Sequence, residues 1–236
     1  MNSFIYETHV HTSETSPCAK ASAEEVVSFY KEIGYSGIII TDHFICRGEE
    51  MAEPDKWKEA VNNLCMGYNK AREIGEKIGL QVFFGWEYSR VPHSGTDLLT
   101  YGLDASWLLE HPEVATMRIS DYCDLVHSDG GFITQAHPFR ESWYIEMIRL
   151  LPRKVDAVEV INASLSEFIY GIAEKYADYY SLIKSAGSDN HFGSKLKQVA
   201  GLSFDTRLQD IHSFISAVKD NKSEIYFKKF DTKAES

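Results

Sequence analysis

Gly37-Ile-Ile-Ile-Thr41 is a short apolar run of β-branched residues, and Asp42-His43 follows it without a break. A run this apolar, with no polar alternation, reads as a strand covered on both faces. That is the mark of a sheet flanked by helices. Charged and titratable residues at the mouth of such a strand must be solvated, paired or bound to a metal ion.

The flanking sequence alternates strand and helix. Upstream, Phe4 to Val10 reads as a strand. Ser22-Ala-Glu-Glu25 opens a helix with a capping box, and Gly34 closes it. Downstream, a long loop is predicted from Phe44 to about Glu53. Pro54 then starts a helix whose apolar residues Trp57, Val61, Leu64, Tyr68 and Ile74 fall three or four apart. Further strands are predicted from Leu80 to Trp86, Leu98 to Leu103, Phe132 to Ala136, Val155 to Ile161 and Ser181 to Ala186. Helices are predicted from Thr116 to Ser128, Glu141 to Leu151, Ser166 to Tyr180 and Asp210 to Lys219, with a last short strand from Glu224 to Phe227. Such units imply a mostly parallel sheet with helices outside it. An open doubly wound sheet and a closed barrel share this pattern. The phosphate signatures G-x-G-x-x-G and G-x-x-x-x-G-K-[ST] are absent, which favours the barrel.

The 236 residues contain no repeat, low-complexity tract or linker-like stretch, and read as one domain over 1–236. A hydrophobic share of 44% and a charged share of 25% exclude disordered, collagen-like and coiled-coil chains. The 24 Lys+Arg against 35 Asp+Glu leave a net charge of −11. That argues against broad clamping of nucleic acid, while leaving room for a local basic pocket. No apolar run approaches the ~20 residues of a membrane span. The start MNSFIYETHVH lacks the basic-then-apolar order of a signal peptide. A cytoplasmic protein is expected. Cys18, Cys46, Cys65 and Cys123 form no C-x-x-C pair and read as reduced thiols.

Chemistry gathers at the strand ends. His9-Val-His11 places two imidazoles on one face of a strand. Asp42-His43, Glu87 of Gly85-Trp86-Glu87, His137 before Pro138, and Asp189-Asn-His191 each lie at or just after the C-terminal end of a predicted strand. In a parallel α/β barrel that rim is where active sites are built. Nitrogen and oxygen donors without cysteine suit Zn²⁺, Mn²⁺ or Fe²⁺ better than Ca²⁺ or Mg²⁺. The donors outnumber the needs of one ion, so two or three are expected, with Glu87 as a bridge.

In order, H-x-H, T-D-H, G-x-E, A-H-P and G-S-D-x-H resemble the motifs of the polymerase and histidinol phosphatase (PHP) family, from His9 to His191. The resemblance implies an α/β fold, a distorted (β/α)7 barrel, with a two- or three-metal centre of Mn, Fe or Zn on its C-terminal rim. It implies hydrolysis of phosphate esters. By motif, the ligands would be His9, His11, His43, Glu87, His137, Asp189 and His191, with Asp42 orienting them from behind. Two positions depart from the family pattern. Glu14 stands where many members carry another histidine or aspartate, and Asp97 where many carry a histidine. Both are taken as ligands, with His93 as a substitute for the second.

The catalytic set is expected to be Asp189, Glu87 and Arg140. Asp189 would steer or deprotonate a metal-activated water, and Arg140 would bind phosphate oxygens. Lys20 and Arg47 are weaker candidates for the same task. His111, His127 and His212 read as surface residues. The expected activity is hydrolysis of a small phosphate monoester, histidinol phosphate being one candidate. A phosphodiesterase or exonuclease acting on nucleotides or short oligonucleotides is the alternative, and a catalytically silent interaction module a third reading. The expected partner is a small phosphorylated substrate, with no stable nucleic-acid partner and no membrane.

Overall fold

The computed structural model describes residues 3–90 and 95–230. Strand β1 (Phe4–Val10) leads into helix α1 (Ala23–Glu32), then β2 (Gly37–Ile40), β3 (His43–Cys46), α2 (Pro54–Ile78) and β4 (Gln81–Arg90). There follow β5 (Leu98–Tyr101), α3 (Ala105–Glu110), α4 (Ile119–Ser128), β6 (Phe132–Gln135) and β7 (Ala157–Asn162). The chain continues through α5 (Glu167–Tyr180), β8 (Ile183–Gly187), β9 (Gln198–Phe204), α6 (Ile211–Lys219) and β10 (Ser223–Lys229).

Local signals account for the helix ends. Ser22 and Glu25 form the expected capping box of α1, and Pro54 occupies the first turn of α2. Gly79 ends α2 at φ 75°, a left-handed conformation that costs glycine nothing.

The strands run in the order β10-β9-β1-β2-β4-β5-β6-β7-β8, and β3 adds to β4. A parallel bridge between Val10 and Asn190 joins β1 to the chain just after β8. The sheet therefore curls into a nearly closed barrel. Its distortion has a simple description. β1–β2, β2–β4, β3–β4, β6–β7 and β7–β8 are parallel, whereas β5 and β9 run antiparallel to both of their neighbours.

All four residues of β2 are buried. Ile38 and Ile40 pack against Val26, Val27 and Tyr30 of α1. Ile39, one residue out of phase, faces Tyr6, Leu99 and Tyr101 inside the barrel. Phe214 and Val218 of α6 belong to that same interior cluster. Trp57, Val61 and Leu64 of α2 cover Trp86 and Tyr88 of β4.

Three sequence expectations change. The loop expected from Phe44 contains β3 and a 3-10 turn at Glu49–Ala52. The antiparallel strand β9 was not anticipated. The helix expected from Glu141 to Leu151 is irregular chain. Gln135 captures its backbone there: the side-chain amide donates to the Arg149 carbonyl (2.7 Å) and accepts from the Leu151 N–H (3.2 Å). The apolar side chains that suggested a helix lie largely in solvent, Trp143 at 96% exposure. Among the described residues, no helix is long and apolar enough to cross a membrane.

Gly67 shows how closely α2 approaches the strand ends. A Cβ at this position would collide with the side chains of Thr12 and Asp42. Gly67→Ala is therefore expected to destabilise the fold by about 1–3 kcal/mol through overpacking. Chemical denaturation of the two proteins checks this, and an unchanged midpoint would contradict it.

Candidate metal centre

β1, β4, β6 and β8 deliver their donors at or beyond their C-terminal halves, and His43 opens β3 directly after the end of β2. His9 lies in β1 and His11 just past it, and both are fully buried. β3 lies beside β4 with His43 opposite Glu87, so the short strand missing from the sequence reading is what registers these two side chains. His137 follows β6, and Asp189 and His191 follow β8. His137 (φ 27°) and Asp189 (φ 52°) are non-glycine residues in the left-handed region. Such strain persists only where the surroundings fix it, and it concentrates at functional sites.

Three groups of donors result. His11, His43 and His191 form one, His9, His11 and Asp189 a second, and His9, Glu87 and His137 a third. Within each group the donor atoms lie inside 4.8 Å of one another. Glu87 spans them. Its Oε1 lies 3.1 Å from His137 Nε2 and 3.4 Å from His9 Nε2, while its Oε2 lies 2.6 Å from His43 Nδ1 and 3.5 Å from His11 Nε2. Asp189 Oδ1 faces His191 Nδ1 (3.2 Å), His11 Nε2 (3.4 Å) and His9 Nε2 (3.6 Å). The seven residues named by motif are thus brought together, while the other two expected ligands, Glu14 and Asp97, are in none of the three groups.

The donor set fits divalent ions on its own evidence. Glu87 Oε2, Asp189 Oδ1 and His137 Nδ1 are buried and have no hydrogen-bond partner among the described residues. The Nε2 atoms of His9 and His11 stand 3.1 Å apart. Buried polar atoms that lack a hydrogen bond are costly unless a cation satisfies them. Nitrogen and carboxylate donors together suit a first-row transition metal or zinc.

The charges are mutually dependent. Burial pushes the Glu87 carboxyl up, but His43 and His9 beside it hold it well below the usual carboxylate range. Asp189 behaves alike: burial opposes its charge, and His9, His11, His191 and Arg140 prevail. Burial disfavours a charged His9, yet Glu159, Asp189 and Glu87 raise it well above the ordinary imidazole value. His11 goes the other way, lowered by burial and by the neighbouring His43 and His191.

The supporting residues are equally specific. Asp42 accepts from the Thr12 N–H (2.7 Å), the Thr12 hydroxyl (2.7 Å) and the Ser16 hydroxyl (2.6 Å). Ser16 Oγ lies 3.4 Å from His11 Nδ1 and accepts from the His43 N–H at 3.0 Å. Asp42 is therefore linked to His11 and His43 through Ser16. Arg140 donates from Nη2 to Asp189 Oδ2 (2.8 Å) and Ser164 Oγ (3.2 Å), and its Nη1 lies 3.3 Å from His137 Nε2.

Other expected residues fall elsewhere. Glu14 is not part of the cluster. Its carboxylate accepts from the Ala23 N–H at the start of α1 (2.9 Å) and from Lys70 Nζ (2.7 Å). The chain turns away directly after the motif, Ser13 N–H donating to the Ala21 carbonyl at 2.9 Å. Asp97 reaches only the edge, 3.9 Å from His137 Nε2, and burial with the nearby Glu87 pushes it up to about 6. The exposed Lys20 holds the His191 carbonyl through its backbone N–H (2.7 Å) and does not line the cavity. His93 lies outside the described residues.

A cavity of about 460 Å³ opens over the cluster. It is lined by His43, Asp97, Arg140, Asp189 and His191, with Arg47, Tyr144 and Phe192 among its other walls. Cys18 lines it too, a residue read from sequence only as a thiol. Burial opposes its thiolate, but contact with His191 and His43 brings it down to about 6. The buried Glu7 and Glu159 also went unnoticed. Glu7 Oε1 accepts from the N–H groups of His9 (3.0 Å) and Ser188 (2.8 Å), tying β1 to the end of β8.

No protein-family model matches the chain, and no curated protein matches it. Solved structures do. A two-domain protein from Bacteroides vulgatus containing a predicted PHP-like metal-dependent phosphoesterase aligns at TM-score 0.69 and 15% identity. The match covers 95% of this chain and 65% of that one, so this chain spans less than two thirds of that protein's length. A candidate metal-dependent phosphoesterase from Bifidobacterium adolescentis aligns at TM-score 0.56 and 15% identity, covering 89% of this chain and 94% of that one. An amidohydrolase from Chromobacterium violaceum, solved with sulfate and no metal, aligns at TM-score 0.59 and 15% identity, covering 98% and 99%. The chain has the PHP-like α/β barrel fold.

Protein purified without chelator is expected to carry about two to three divalent ions per chain. His9→Ala/His11→Ala should lose them, because these imidazoles are shared between the donor groups. Glu14→Gln should keep them. Elemental analysis reads all three proteins, and metal retained by the double variant would refute the shared-ligand arrangement.

Proposed function

We propose that this chain is a metal-dependent phosphoesterase that hydrolyses a small phosphate monoester. The observation that carries the reading is the placement of Glu87, whose two oxygens face different imidazole pairs, one of them including His43, which lines a cavity together with Asp189, His191 and Arg140. His9, His11, His43, Glu87, His137, Asp189 and His191 would hold two or three divalent ions. Such ions, when bound, lower the pKa of a water and offset charge on phosphoryl oxygens.

The chain's own residues supply the rest. Arg140 presents a guanidinium to the cavity, and burial is outweighed by Asp189 and Glu87 so that it stays cationic. Planar, paired N–H donors match phosphate oxygens. Asp189, whose charge His9, His11, His191 and Arg140 favour against burial, would accept a hydrogen bond from the attacking water and orient it. Arg47, exposed on the same cavity, adds a second cation for an anionic substrate. The similarity to folds described as phosphoesterases supports this class of reaction.

The nucleotide reading is favoured by one feature. Tyr144 and Phe192 line the cavity at 43% and 52% exposure, and a free aromatic face can stack on a base. A silent module is disfavoured, because all seven donors converge.

Metal-loaded protein should cleave p-nitrophenyl phosphate faster than bis(p-nitrophenyl) phosphate. The reverse order would favour the diesterase, and no turnover of either with bound metal would remove the hydrolase reading. Arg140→Ala should lower kcat/KM by about 10–100-fold, the loss of a charge-assisted contact, with metal content retained.

A further inference from the structure

Glu159 is buried inside the barrel on β7, and the sequence pattern gave it no role. Its Oε1 lies 3.1 Å from His9 Nδ1. Its Oε2 accepts from the His137 backbone N–H (3.0 Å) and from Asn162 Nδ2 (2.7 Å). The same Asn162 nitrogen lies 3.5 Å from Asp189 Oδ2. One carboxylate therefore touches the ligands of β1 and β6, and through Asn162 reaches that of β8.

The backbone of β7 makes this possible. Val158 and Val160 face outward onto Ala173, Tyr176 and Ala177 of α5. Strict alternation would turn Asn162 outward with them. The β7–β8 register instead shifts between Glu159 and Ile161. Such a bulge re-aims a side chain, and it brings Glu159 and Asn162, three residues apart, to the same interior. Gly187 on β8 leaves the space they need. A Cβ there would lie 2.6 Å from Glu159 Oε1 and 2.6 Å from His9 Cβ.

The chemistry of the contact is one-sided. An ionised carboxylate accepts hydrogen bonds and gives none. A carboxylate at Glu159 is matched by a His9 that carries a proton on Nδ1, and Nε2 would then be its metal-binding atom. Nε2 is the nitrogen turned toward Glu87, Asp189 and His11. The other oxygen holds the N–H of His137, whose backbone sits at φ 27°.

We propose that Glu159, carried by the β7 bulge with Asn162, is the positioning residue of the centre. It sets the His9 tautomer and holds the His137 backbone in place, coupling ligands from separate strands. This rests on the cluster being a metal centre and not on which ester is cleaved.

Glu159→Gln separates positioning from packing, because it keeps the shape. An amide cannot accept on both sides. With its oxygen toward His137 and Asn162, its NH₂ faces His9 and moves the ring proton to Nε2, blocking the ligand atom. With its oxygen toward His9, its NH₂ meets two donors. Zinc affinity of the full chain and of the variant is measured by chelator competition, with melting of the apoproteins as a check on folding. The variant is expected to bind zinc about 10–100-fold more weakly. Zinc binding within about twofold of wild type would overturn the proposal. Long-range ¹H–¹⁵N NMR of the zinc-loaded wild type gives a readout that needs no variant: the His9 proton is expected on Nδ1, and a proton on Nε2 overturns the assignment. A wild type that takes up no zinc overturns the metal-centre reading itself, independently of Glu159.

Discussion

A carboxylate set among four histidines has to be both buried and charged, and the barrel is organised to make that possible. Glu87 is fully buried, with its oxygens turned to His9 and His137 on one side and His11 and His43 on the other. Taking such groups out of water is unfavourable unless each meets a partner of opposite sign or complementary hydrogen bonding. The partners come from β1, the turn after β2, β6 and the turn after β8, so the charge balance exists only when those strand ends meet. Closure of the sheet through Val10 and Asn190 is the geometric condition for it.

Around that core the polar groups are arranged in layers. Asp42 fixes the Thr12–Ser16 turn against His11, Glu7 ties the backbone of His9 to Ser188, and Glu159 meets His9 from the opposite side. Burial pushes Glu7 up to about 7 despite the hydroxyl and N–H groups that favour its charge. A network satisfied to this degree specifies one arrangement, because any shift leaves a buried group unpaired. Gly67 and Gly187 serve the same end, since each lets a neighbouring polar side chain occupy the space a Cβ would take.

Much of the centre was legible in sequence because its ligands obey local rules. His9 and His11 share a face through the two-residue strand period. Asp42-His43, Glu87, His137 and Asp189-Asn-His191 declare themselves by following apolar runs. The supporting carboxylates were not legible. Glu7 and Glu159 sit within strands as ordinary alternating polar residues, and only barrel closure turns those faces inward. The contact of Asn162 with Glu159 was hidden further, since the bulge that re-aims Asn162 depends on pairing with β8. The segment from Glu141 to Leu151 misled in the opposite direction: its helical spacing is real, but Gln135 takes the backbone groups a helix would need.

The chain by itself determined the buried strands, the helix caps and the donors placed at strand ends, because each depends on residues a few positions apart. Tertiary structure alone decided which donors share a group, that Glu87 spans them, that Glu14 turns away to α1 and Lys70, and that Glu159 touches His9 and His137 at once. Those outcomes are set by contacts between residues distant in sequence, and they become fixed only when burial makes every unpaired charge and N–H costly.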